Sequence, residues 1–212
     1  MIAYTIEAAL KAQTLDRVIV STDDAEIAEV ARVSGADVPF RRPAEYAGDT
    51  ASSMSVVLHA LAWLAEHEGY RPDAVALLAP TAPLRQAEHI DACVTLLGSS
   101  GADTAVTVTA AADHPYFTYT LAAGGRLEEL LPLPQKPQRR QDLPAVYAQS
   151  QAVVVMRRAY LERADDGTPV VNAASGAGFV IDTASAWDID TMLDWTIAEH
   201  LLRGNDAVIH AR

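Results

Sequence analysis

The chain has 212 residues, half of them hydrophobic and 21% charged, which is the size of one domain and excludes a disordered chain. A formal net charge of −12 leaves no electrostatic footprint for nucleic acid, so any anionic ligand needs a local cationic cluster against an unfavourable overall field. Uncharged stretches such as 50–65 and 143–156 fall short of the roughly 18 apolar residues of a bilayer span, so no membrane partner is expected. Residues 1–12 carry Glu7 and no basic segment ahead of an apolar run, unlike a secretory leader. The cytoplasm is the expected compartment. The single cysteine, Cys93, excludes an intramolecular disulfide framework and reads as core filler.

Apolar residues Ile2, Ile6, Ala9 and Leu10 recur at helical spacing and predict a helix over 3–13. The β-branched run 17–22 predicts a short strand, and Asp23-Asp24 after it signals a helix start over 25–34, ended by Gly35. A loop over 42–50 leads into a long amphipathic helix, 52–68. Residues 73–79 read as a buried strand stopped by Pro80 and Pro83, followed by a helix over 86–97 and a strand over 103–109. This alternation implies an α/β fold with a doubly wound, mainly parallel sheet.

The rhythm changes over 113–140, which is rich in Pro, Gly, Tyr and Arg. A short strand at 152–156, a short helix at 157–163, an extended piece at 179–183 and a terminal helix at 189–203 follow. The expected division is a core over 1–112, an arm over 113–172 and a returning core segment over 173–212.

Ligands of open α/β sheets sit at the carboxyl ends of strands, which points to residues 21–24, 80–85 and 109–114. Two lysines, Lys11 and Lys136, against fourteen arginines leave Arg41-Arg42, Arg139-Arg140 and Arg157-Arg158 as candidate anion clusters. Arg42, followed by Asp49, Thr50, Ser52 and Ser53, forms a polar loop entering a helix, where hydroxyls and free N–H groups can hold phosphate or ribose oxygens; the plainer reading is a capped loop. The stiff turn Pro80–Arg85 presents Thr81 and Arg85 near a strand end, as a ligand platform or simply a strand stop. Asp188 and Asp190, two apart, share a face if extended and suit Mg²⁺; helix capping by Asp190 with Asp194 nearby is the competing reading and, on spacing alone, the favoured one.

Taken together and in order, AYTIEAAL (3–10), DRVIVSTDDAEIAEVA (16–31), GDTASS (48–53), PTAPLR (80–85), HPY (114–116), RRQDLPAVY (139–147) and DIDTMLDW (188–195) resemble the acylneuraminate cytidylyltransferase family, the CMP-sialic acid synthetase-like enzymes. The resemblance spans nearly the whole chain. It implies a nucleotidyltransferase core with a dimerisation arm and a reaction that joins CTP to a sialic-acid-like 2-keto sugar acid, releasing pyrophosphate. It implies CTP binding by Arg42, Thr50 and Ser53, and Mg²⁺ on Asp188 and Asp190 as the catalytic carboxylates. Ala79, Thr81, Tyr147 and Ser150 would line the acceptor side, and Arg140 would reach across a homodimer to the acceptor carboxylate. Such proteins begin with a strand and a basic loop ahead of the AYTIEAAL helix, where this sequence has Met1, so a start upstream of Met1 is expected; a truncated, inactive nucleotide-binding copy is the alternative. The family usually has Gln where Ala79 stands and Asn-Gly where Ser150-Gln151 stand. The expected acceptor therefore differs from common sialic acid, as another sugar acid or a smaller carboxylate or phosphonate.

Overall fold

In the computed structural model, the described residues are 1–133, 139 and 142–209, with side chains described as far as 204. Helix α1 spans Ile2–Lys11 and α2 spans Ala25–Val33. The Asp24 carboxylate caps α2 by accepting from Ile27 N at 2.9 Å, as its position just ahead of the helix predicts. Helix α3, Ser53–His67, starts at Ser52, whose Oγ accepts from Ser55 N at 3.0 Å. Strand β1 is Ala74–Leu77, helix α4 is Ala87–Ser100 and strand β2 is Thr104–Ala110. Gly101 ends α4 in the left-handed region at φ 69°, which a side chain would disfavour. A small hairpin of β3 (Tyr119–Leu121) and β4 (Leu127–Glu129) forms a sheet of its own. Strand β5 is Tyr147–Arg157, helix α5 Arg158–Leu161, strand β6 Gly176–Val180 and helix α6 Met192–Ile209.

The main sheet has the order β1-β5-β2-β6. Strand β5 is antiparallel to both neighbours and β6 is parallel to β2. The α/β class holds, but the sheet is mixed rather than mainly parallel, because β5 returns against the common direction of the other three strands. That strand lies inside the segment expected to be an arm, and it runs through the middle of the core sheet. The expected strand over 17–22 forms only a parallel bridge, Ile19 with Asp37, made by Val20 N to Asp37 O and Asp37 N to Val18 O.

The sheet is covered on both faces, as a doubly wound layering requires. Val153 and Val155 of β5 and Ala105 of β2 pack with Ala8, Ala9, Ile90, Cys93 and Leu97 from α1 and α4. Val154, Met156 and Val106 pack with Met54, Val57, Tyr160 and Leu161 from α3 and α5. The two-residue period of a strand sorts these neighbours to opposite sides. Each buried Val, Leu, Ile or Met side chain among them contributes roughly 1.5–3 kcal/mol of transfer free energy. Cys93 is fully buried among them, and that burial pushes its thiol up to about 12, so it is inert filler.

Between Val106 and Val108 the β2–β5 register jumps: Val106 faces Val154, but Val108 faces Gln149. Residues 150–153 of β5 thus stand opposite Thr107 alone, a wide bulge that would orphan buried backbone groups. Side chains satisfy them instead. Thr107 Oγ1 accepts from Val153 N at 3.0 Å and donates to Val153 O at 3.2 Å. Ser150 Oγ accepts from Ala152 N at 3.1 Å, and Arg85 Nε donates to Ala152 O.

Candidate functional site

The site residues fall into two clusters. In the first, the backbone N of Arg42 donates to Thr22 O at 2.9 Å, laying the loop after Phe40 against the carboxyl end of the 17–22 run. The guanidinium donates to Ser21 O at 2.7 Å and to Tyr46 O at 3.3 Å. Thr50 is exposed in the turn ahead of α3, and Ser53 is exposed in its first turn. The amide groups there are those a helix start leaves without intrahelical partners, with the dipole favouring anions.

The second cluster joins the turn after β1 to the DID segment. Ile189 N donates to Thr81 O at 2.9 Å, setting Asp188 and Asp190 beside the Pro80–Arg85 turn. Arg85 is only 4% exposed, so this residue of the expected platform points inward instead. It donates to Ala79 O and Ala152 O, binding the strand end to the β5 bulge. Burial lowers its guanidinium to about 10, and the Asp188 charge acts in the opposite direction. Ser150 is buried, with its Oγ engaged in the bulge, while Tyr147 is exposed at the start of β5 opposite Ala110. Ala79 and Thr81 lie partly exposed in the same turn. Arg140 lies outside the described residues.

The competing reading of the aspartates is resolved by the cap of α6. Asp194 Oδ2 accepts from Thr191 N at 2.8 Å and from Thr191 Oγ1 at 2.7 Å, and Asp194 N donates to Thr191 Oγ1 at 3.3 Å. Thr191 and Asp194 therefore form the reciprocal cap, and Asp190 contributes only its backbone N–H, to Asp194 Oδ2 at 3.3 Å. These bonds use neither the Asp188 nor the Asp190 carboxylate. Asp188 Oδ1 is buried without a hydrogen-bond partner, and Asp190, two residues on, is exposed. A buried carboxylate oxygen with no hydrogen-bond donor is open to a cation from outside the chain, in addition to the Arg85 guanidinium that already acts on Asp188 through its charge. Among the described residues no group of three or more His, Cys, Asp or Glu side chains could hold a metal by itself. Two carboxylates completed by ligand oxygens match the habit of Mg²⁺.

Among the described residues of the other arginine pairs, Arg139, Arg157 and Arg158 are engaged within the chain. Arg157 donates to Ala102 O at 3.1 Å and to Leu97 O at 2.5 Å, closing the end of α4. Arg158 pairs with Asp73 and Glu162, and Arg139 grips Asp142 through two bonds of 3.0 and 3.1 Å. Two contributors escape the sequence reading: the inward turn of Arg85 and the ring of His59. The i, i+4 row His59, Trp63, His67 along α3 is the signal that could have found the latter.

Residues 1–163 match the family described as cytidylyltransferase. This chain belongs to the cytidylyltransferase family. Its activity is that of a nucleotidyltransferase. Among similar proteins, the post-translational flagellin modification protein B of Campylobacter coli is 29% identical over 96% of this chain and 84% of its own. The CMP-N,N'-diacetyllegionaminic acid synthase of Campylobacter jejuni is 30% identical over 95% of this chain and 83% of its own. A solved CMP:2-keto-3-deoxy-manno-octonic acid synthetase complexed with CTP superposes with a TM-score of 0.66 at 14% identity, covering 95% of this chain and 87% of that one. At that identity the superposition speaks for the fold, and the cytidylyltransferase assignment rests on the sequence match.

Proposed function

We propose that this chain transfers CMP from CTP to a sialic-acid-like 2-keto sugar acid and releases pyrophosphate, with Mg²⁺ held by Asp188 and Asp190. The observation that carries the reading is the DID segment: its carboxylates are released from capping by Thr191 and Asp194, and one oxygen of Asp188 is buried without a donor. The residues fit the ion, because few carboxylates plus phosphate oxygens are its preferred shell. When bound, Mg²⁺ neutralises charge on the phosphates and on the leaving pyrophosphate.

The chain's own residues bind and orient. An acceptor hydroxyl oxygen forms a bond to the α-phosphorus as the bond to the pyrophosphate oxygen breaks, and the hydroxyl proton passes to solvent. Such in-line transfers depend on positioning and charge neutralisation more than on covalent catalysis by the protein. Arg42, Thr50 and the α3 start at Ser53 hold the nucleotide, where a cation and free amides offset the −12 field. The Pro80–Arg85 turn, tied to the DID segment through Thr81 O, sets the acceptor against the metal carboxylates. Ala79 presents no polar side chain there and the Ser150 hydroxyl is committed to the bulge, which supports an acceptor other than common sialic acid. The relatives named for legionaminic acid favour a related sugar acid.

A homodimer is part of the proposal. Leu121, Leu127, Leu130 and Leu131, on and just beyond the β3–β4 hairpin, are 48–73% exposed, an apolar strip that a second copy would cover. The test is pyrophosphate release from CTP and Mg²⁺ with a panel of sugar acids, N-acetylneuraminic acid among them. Release with a diacetylated sugar acid that exceeds release with N-acetylneuraminic acid supports the reading, and release with none refutes it.

A further inference from the structure

Phe40, Arg42 and Tyr46 belong to one loop, and α3 presents His59 to it. The His59 ring lies 5.0 Å from Phe40, edge-on at 81°, and 4.8 Å from Tyr46 at 37°. Trp63, one turn further, lies 5.2 Å from Phe40 and stacks on His67 at 4.4 Å. The imidazole is thus a wedge between the two aromatic residues that flank Arg42. Tyr46 also accepts from the Arg42 guanidinium through its backbone oxygen. The His59 ring thus packs against Tyr46, whose backbone oxygen is one of the two acceptors, with Ser21 O, that hold the guanidinium.

The polar atoms tell the same story. Ser21 Oγ, Arg42 Nε and His59 Nδ1 are all buried without a hydrogen-bond partner. Arg42 Nε and His59 Nδ1 do not hydrogen-bond each other, so the ring acts on Arg42 through its shape and its charge. The ring lowers its own charge cost by staying neutral: burial holds it below the usual histidine value, Glu45 works against that, and the Arg42 charge adds to it. The charged or titratable groups facing His59 are therefore Arg42, Glu45 and Tyr46. Protonation would set a second cation beside Arg42.

We infer that His59 is a positioning residue for the nucleotide: wedged between Phe40 and Tyr46 on α3, it fixes Arg42 relative to Ser53 at the start of the same helix. The inference rests on the proposed reading that Arg42 and Ser53 bind CTP, and it adds that the neutral imidazole sets their separation. Displacing a positioned group is costly, because its contacts are lost together.

The experiment measures CTP binding by calorimetry and KM for CTP and acceptor on the full chain. It compares wild type, Arg42→Ala, His59→Ala and His59→Phe over a pH series from pH 8 down to about pH 4.5. His59→Ala should weaken CTP about tenfold, approaching Arg42→Ala, with kcat and acceptor KM within about twofold. His59→Phe keeps the wedge and should bind CTP at pH 8 within about twofold of wild type. As pH falls well below the usual histidine value, wild type should lose affinity relative to His59→Phe, since only the imidazole gains charge beside Arg42. Should His59→Ala prove unfolded by circular dichroism, the pH comparison between wild type and His59→Phe decides. Parallel pH profiles for those two proteins, or unchanged CTP affinity in a folded His59→Ala, would overturn the inference while Arg42→Ala still reports on the nucleotide site. Absence of CTP binding by wild type would overturn the underlying reading as well.

Discussion

Thr107→Val is the sharpest test of how β5 is held. The threonine is fully buried, and its one hydroxyl serves both the N–H and the C=O of Val153 in the bulge. Valine keeps the shape and removes both partners. Each buried backbone group left unpaired costs about 1–3 kcal/mol, and the added methyl returns at most about 0.8 kcal/mol. The net is a destabilisation of about 1–5 kcal/mol. For a chain of this length each kcal/mol lowers Tm by roughly 2–4 °C, so a fall of about 2–20 °C is expected. Thr107→Ser keeps both hydrogen bonds, loses one methyl and should cost only about 1 kcal/mol. Urea unfolding followed by circular dichroism gives both values. A valine variant as stable as wild type, or less destabilised than the serine variant, would show that the bulge does not depend on that hydroxyl.

Two further outcomes follow from the hydrogen-bonding of charged groups. Asp91 on α4 accepts from Gln13 N and Thr14 N, each at 2.9 Å, and from Thr14 Oγ1 at 2.7 Å. Burial would raise its carboxyl, but the bonds from Thr14 and Gln13 outweigh that and hold it below the usual range. Its contribution is therefore present above the unfolded value near 4 and lost as pH falls through the folded value; Asp91→Ala should cost about 1–2 kcal/mol at pH 7 and much less at pH 3. His89, whose Nδ1 accepts from Gln86 N at 3.2 Å, is held below the usual histidine value chiefly by burial, with Arg85 adding to this and Asp182 and Glu88 opposing it. The unfolded chain then binds more protons, so stability falls as pH drops below about 6.5, and His89→Gln should flatten that slope in pH-dependent Tm measurements.

Much of the architecture was legible because it is written in short-range chemistry. Asp24 and Ser52 mark helix starts by side-chain capping, and Gly101 ends α4 where the backbone turns left-handed. The apolar run of 152–156 announced a buried strand, but its extension back to Tyr147 did not show, since Gln149, Ser150 and Gln151 interrupt the pattern. That interruption is the bulge, whose backbone is satisfied by Thr107 and Arg85 from distant parts of the chain. No local period encodes such partners. The reversed direction of β5 is hidden for the same reason, because strand direction depends on pairing across the sheet rather than on composition. At the DID segment the spacing supported two roles, and only the bonds between Thr191 and Asp194 separated the capping residues from the free carboxylates. Arg85 was visible as a residue near a strand end, while its burial beneath the turn was not.

The most direct test of the metal reading is Mn²⁺ binding followed by electron paramagnetic resonance, with and without CTP, on wild type and on Asp188→Asn/Asp190→Asn. Wild type should bind one ion whose affinity rises when CTP is present, and the double variant should lose that CTP-dependent site while keeping its Tm within a few degrees. Equal Mn²⁺ binding by the two proteins would contradict the assignment of the ion to these carboxylates.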